Sequence, residues 1–69
     1  MQKTKKGATY KERRIVDHHV QERVFRDMDG GSHFKLLSFS ISNRPYPIGS
    51  GDILRAEEID WEHTKEVKA

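Results

Sequence analysis

Asp29-Gly30-Gly31-Ser32 is the feature that most narrows what this chain can become. Glycine takes positive φ without a steric penalty, and two glycines in succession after an aspartate mark the tip of a hairpin. The segment that follows, His33 to Ser42, alternates over most of its length, with Leu37, Phe39 and Ile41 on one face. With Gly30 and Gly31 at the tip, Val24 stands opposite Leu37 and Val20 opposite Ile41 on one face, and Phe25 stands opposite Leu36 on the other. The pattern predicts a β-hairpin.

The segment before the tip, Tyr10 to Met28, admits two readings. A helix would have a capping box in Thr9-Tyr10-Lys11-Glu12, a Glu22–Arg26 pair and the two glycines as a stop. Its apolar stripe of Val16, Val20, Val24 and Met28 would also bury Asp17 and Asp27, which is costly without partners. The strand reading uses the β-branched Ile15, Val16, Val20 and Val24 and is the one that closes the hairpin. Further on, Asn43 to Gly51 reads as a loop, since Pro45 and Pro47 each remove a ladder donor. Asp52 to Trp61 reads as a third strand, with Ile53, Ile59 and Trp61 on one parity, against a competing helix capped by Asp52.

The expected fold is therefore mainly β, a small twisted antiparallel sheet or partly open barrel. Residues 1–9 form a flexible basic arm, 10–61 a single small β-rich domain, and 62–69 a charged tail.

The chain has 69 residues, 33% hydrophobic and 35% charged, so one domain with a small core is expected. Such a chain has little material for a deep pocket of about 300 to 1,000 Å³, which argues against an enzyme and for a binding module or regulator. With no cysteine there is no disulfide, thiolate nucleophile or Cys-based zinc site, and the expectation is a reducing, cytoplasmic setting. The first residues lack the apolar stretch of a secretory signal, and no apolar run approaches the roughly 20 residues of a membrane span. A small core also favours homodimerisation.

Charge is unevenly spread. Over residues 1–14, Lys3, Lys5, Lys6, Lys11, Arg13 and Arg14 stand against Glu12 alone, whereas the stretch from Asp52 onward is acidic. Basic groups interleaved with aromatic rings are how single strands of nucleic acid are held, phosphates by the cations and bases by stacking. The candidate nucleic-acid-binding residues are Lys3, Lys5, Lys6, Lys11, Arg13, Arg14, Lys35, Arg44 and Tyr46. Arg44 and Tyr46 sit in a proline-stiffened loop that loses little entropy on binding.

Other chemistries are poorly served. His18 and His19 are adjacent and so point to opposite faces of a strand, and His33 and His63 are remote, so no metal site is expected. The serines lie on strands or turns with no base marked beside them, and Asp27, Asp29 and Asp52 flank glycine turns, where aspartate bonds to backbone. Gly49-Ser50-Gly51 is followed by Asp52, which would repel phosphate. No cofactor is expected.

Phe25-Arg26-Asp27-Met28-Asp29-Gly30, then Phe34, Gly51-Asp52-Ile53-Leu54 and Glu58-Ile59-Asp60, resembles the ASCH-related family of small PUA-like β-barrels over roughly residues 25–61. The family's lysine after the glycine and its Glu-x-Arg are replaced here by His33-Phe34-Lys35-Leu36-Leu37, so no individual contact residue is carried over. Gly-Asp-Ile-Leu also recurs in OB-fold ribosomal proteins of similar length. Both relatives bind RNA, and the resemblance implies RNA as the ligand. The alternative expectation is a protein-interaction adaptor or inhibitor that offers an edge strand or its Pro-Tyr-Pro loop to a partner.

Overall fold

Alternation along the chain resolves into six strands of one antiparallel sheet in a computed structural model that describes residues 4–49 and 51–68. The strands are β1 (Thr9–Val16), β2 (His19–Asp27), β3 (His33–Ile41), β4 (Arg44–Pro45), β5 (Ile53–Arg55) and β6 (Thr64–Val67). Their order is β4-β3-β2-β1-β6, and β5 pairs with the stretch of β3 that β4 leaves free. The fold is mainly β, as expected, and the sheet is not closed into a barrel. No helix among the described residues is long and apolar enough to cross a membrane.

The segment from Tyr10 to Met28 is neither one helix nor one strand. It folds on itself at Asp17 and His18, both in the left-handed region with φ 50° and 67°, and Val16 faces His19 across the tip. A second glycine-free reversal at Ser42 and Asn43, φ 52° and 65°, carries β3 into β4. Both tips use the backbone hand that matches strand twist, which Asp and Asn tolerate better than other non-glycine residues.

The expected hairpin at Gly30-Gly31 is present, and Phe25 stands opposite Leu36 as the pattern required. Beyond that pair the register slips by one. Val24 faces Ser38 and Gln21 faces Ile41, so the expected Val24–Leu37 and Val20–Ile41 pairs do not form. Leu37 is the extra residue of a bulge, which moves Phe39 and Ile41 onto the face of Phe25. The tip is wider than two residues: the Met28 N–H donates to the His33 carbonyl, and two aspartates organise the loop between. Asp27 Oδ1 accepts from the N–H groups of Asp29, Gly30 and Gly31, and Asp29 Oδ1 accepts from Ser32 and His33.

The expected third strand is cut short. β5 ends at Arg55, and the chain turns through two short 3-10 turns, Ala56–Glu58 and Trp61–His63, to lay Ile59 and Trp61 over the sheet. The charged tail contains a strand that the sequence reading missed, β6, which pairs with Thr9–Glu12 of β1. Of the expected basic arm, Thr4 to Ala8 lie along the end of β2. Gly7 donates to the Asp27 carbonyl, Ala8 accepts from the Asp27 N–H, and Thr4 Oγ1 donates to Asp27 Oδ2 at 2.5 Å.

The core occupies half of one sheet face. Tyr10, Phe25, Phe34 and Ile59 are buried, with Ala8, Leu54, Ala56 and Trp61 packed around them. The rings meet largely edge to face, with centroids 5.6 Å apart for Phe25–Phe34 and 5.3 Å for Phe34–Trp61. Such pairs contribute about 0.5 to 1.5 kcal/mol beyond the area they bury. The Trp61 indole N–H is satisfied by the Ala56 carbonyl at 3.0 Å.

Candidate nucleic-acid interface

Because Tyr10, Phe25, Phe34 and Thr64 point into the core, their neighbours Lys11, Arg26, Lys35 and Lys65 point to the opposite, outer face. All four are exposed. Register then decides their spacing. Lys65 of β6 stands directly opposite Lys11 of β1, and Arg26 of β2 directly opposite Lys35 of β3. Lys11 faces Val24 and Thr9 faces Arg26, so Lys11 and Arg26 are diagonal neighbours and the two like-charged pairs join into one stripe across four strands.

Arg13 lies beside this stripe, with Glu22 opposite it. Glu22 is the one carboxylate that the described strands turn to this face; its Oε2 is 3.2 Å from Lys11 Nζ and 3.6 Å from Arg13 Nε. Glu62 and Glu66 stand at the β6 border, where they line a groove with Lys11 and Lys65. Among the described residues no carboxylate forms an ion pair with Arg26, Lys35 or Lys65.

The expected site residues therefore fall into separate groups. Lys11, Arg13 and Lys35 share the outer face. Arg14, Arg44 and Tyr46 are on the inner face, beyond the end of the core. There the row runs from Arg44 through Ile41 and Gln21 to Arg14, and Tyr46 packs its ring on Phe39 with centroids 5.7 Å apart. Tyr46 is 48% exposed, whereas Arg14 turns its Nε to within 3.8 Å of the buried Glu12. Lys5 and Lys6 are exposed in the turn before β1, with the Lys5 N–H bonded to Tyr10 Oη. Lys3 lies outside the described residues.

Arg26 and Lys65 are the members of the stripe that the list of candidates lacked. Arg26 was legible, since the alternation that puts Phe25 inside puts Arg26 outside. Lys65 was not, because nothing in the tail announces a strand that pairs with Thr9–Glu12.

The histidines do not converge. His19 Nδ1 meets Ser42 Oγ at 3.1 Å, His33 Nδ1 meets Asp29 Oδ2 at 2.9 Å, and His63 Nδ1 meets Asp60 Oδ2 at 2.8 Å. The Asp29 carboxyl is held well below the usual aspartate range, first by its hydrogen bond with the His33 ring and then by the His33 and Ser32 amides. Asp60, Glu62 and His63 offer ligand atoms within 4.8 Å of one another, all from one short exposed turn.

No family model, no curated protein and no solved structure matches this chain.

Proposed function

We propose that the protein is a non-catalytic nucleic-acid-binding module whose affinity comes from the outer face of the sheet. The observation that carries this reading is the pairing of Lys11 with Lys65 and of Arg26 with Lys35. Like charges directly opposite one another on a sheet are destabilising, and a fold that sets two such pairs side by side gains when an anion lies across them. A phosphate backbone supplies anions at regular intervals, and its binding releases counterions. RNA is the nucleic acid that the resemblance in the core segment favours.

Tyr46 on Phe39, with Arg44 in the next row, is the place where a base would stack if the strand also reaches the inner face. These groups are secondary in the reading, since the outer stripe alone supplies phosphate contacts.

The test is an amide NMR titration with short mixed-sequence RNA at low and moderate salt, run on the parent chain and on Arg26→Glu/Lys35→Glu. Salt-sensitive shifts at Lys11, Arg26, Lys35 and Lys65 are expected, and they should be lost in the double variant. A folded sample that shows no shifts at low salt, or shifts that ignore salt, overturns the proposal.

A further inference from the structure

The two long edges of β1 are not equally occupied. β2 runs beside all of β1 as far as Val16, whereas β6 covers the other edge only at Thr9–Glu12. Among the described residues no strand lies along Arg13–Val16 on that side. The Asp27 N–H donates to the Ala8 carbonyl, so alternation turns the backbone groups of Tyr10, Glu12, Arg14 and Val16 toward β2 and those of Arg13 and Ile15 away from it. An open groove of about 420 Å³ follows this edge, lined by Arg13, Arg14, Ile15, Val16, Asp60 and His63.

Edges that must stay single are usually blunted by lysine, proline or shortness. Here β4 is short and ends in Pro45, and β6 is short and carries Lys65 and Glu66. The free half of the β1 edge instead presents Ile15, which at 76% is the most exposed large hydrophobic among the described residues.

We propose that this edge is a homodimer seam, in which a second copy of the chain pairs antiparallel with Arg13–Val16 about a two-fold axis at Ile15. That register sets Ile15 against the second copy's Ile15 and Arg14 against its Val16, and it brings Arg13 beside the turn that begins at the second copy's Asp17, the first residue past the strand. It uses the outward backbone groups of Ile15 in both copies and removes the exposed isoleucines from water. It also gives each Arg13 guanidinium a carboxylate, and Arg13 has freedom to take it, being 68% exposed and 3.6 Å from Glu22. Centring the axis on Arg14 would set that arginine against itself. A two-fold seam needs this kind of self-complementarity, and Arg13 on the strand with the exposed Asp17 in the turn just past it supplies it. The seam is short, so the dimer is weak and concentration-dependent. Arg13 and Ile15 point to the same face as Lys11 and Lys35, so pairing would set the two basic faces side by side.

The chain has no cysteine, so Ile15→Cys and Arg13→Cys each introduce a single thiol at an exposed position. Across the seam the two Ile15 Cα atoms would be about 5.5 Å apart, within disulfide reach, while the two Arg13 positions are out of register and beyond it. Sedimentation equilibrium from about 10 μM to 1 mM is expected to show a monomer–dimer equilibrium that Ile15→Lys abolishes. Under mild oxidation Ile15→Cys should form a covalent dimer at least about tenfold faster than Arg13→Cys. A monomer throughout that range, or equal rates for the two cysteine variants, overturns the proposal.

Discussion

Glu12 and Arg23 face each other across β1 and β2 as a two-point ion pair, with Nε 2.5 Å from Oε1 and the second contact to Oε2 at 2.9 Å. Glu12 is 1% exposed, and its Oε2 also accepts the Asp60 N–H at 2.7 Å. Arg23 in turn donates to the Glu58 carbonyl at 3.0 Å. Two charges thus tie the sheet to the segment that carries Ile59 and Trp61 over the core. Breaking such a pair from one side leaves a buried charge without its partner, which costs about 3 to 5 kcal/mol. For a domain this small that is most of the available stability. Arg23→Met is expected to lower the denaturant midpoint sharply or leave the chain unfolded, whereas Arg13→Met, at an exposed position on the other face, should change it little.

The same carboxylate sets a pH dependence. Burial pushes the Glu12 carboxyl up, but hydrogen bonds from Arg23 and from the Asp60 amide, with the charges of Arg23 and Arg14, outweigh it and hold the group below the usual glutamate value of 4.5. A group whose folded value is depressed stabilises the fold fully above its unfolded value and loses that contribution as pH falls through the folded one. Thermal unfolding of the parent and of Glu12→Gln should therefore differ most at neutral pH and converge below about pH 4.5. A gap that stays constant down to pH 3 would show that the charge on Glu12 is not what holds the pair.

Asp27 is 1% exposed and joins three loop amides to Thr4, so it fixes both the tip of the β2–β3 hairpin and the start of the described chain. Asp27→Ala removes the acceptor they share; hydrogen bonds to a charged group contribute about 1.5 to 3 kcal/mol, and since Asp29 and Gly30 are exposed, water takes up part of that loss. Hydrogen exchange at Gly30 and Gly31 should speed up by more than at Phe25, which stays within the ladder. Equal acceleration at all three would mean that the loop and the strand open together.

His18 and Asn43 hold φ of 67° and 65° at their reversals, where a side chain is strained. His18→Gly removes that strain at an exposed tip and is expected to stabilise the domain by about 0.5 to 1 kcal/mol, set against the added freedom of the unfolded chain. Calorimetry that finds a lower melting temperature would point to a tertiary role for the imidazole.

The contrast between the tips at Gly30-Gly31 and Asp17-His18 explains much of what the sequence did and did not disclose. Gly30-Gly31 declares its turn because only glycine is at ease there, and Phe25 opposite Leu36 follows from it. Asp17-His18 carries no comparable signal, so β1 and β2 read as one segment. Leu37 was misplaced for a different reason: a bulge changes face without changing composition, and only packing of Phe39 and Ile41 on the inner side selects it. Lys11, Arg13 and Lys35 were legible as exposed cations. That Arg44 and Tyr46 lie on the other face, and that Lys65 completes the stripe, depends on sheet register and on a strand formed by contact with β1.

Lys35 offers the sharpest separation of stability from binding, because it stands directly opposite Arg26 and among the described residues no carboxylate forms an ion pair with either. Lys35→Glu converts a repulsive cross-strand pair into an attractive one, which is expected to add about 0.2 to 1 kcal/mol of stability and raise the melting temperature by a few degrees. The same change removes one phosphate contact and sets a repelling charge in the stripe. RNA affinity should fall, and the steepness of its salt dependence, measured by fluorescence anisotropy, should drop by about one unit. A surface kept only for solubility would give the first effect without the second. A variant that is more stable yet binds RNA as tightly as the parent would remove the stripe from the binding surface.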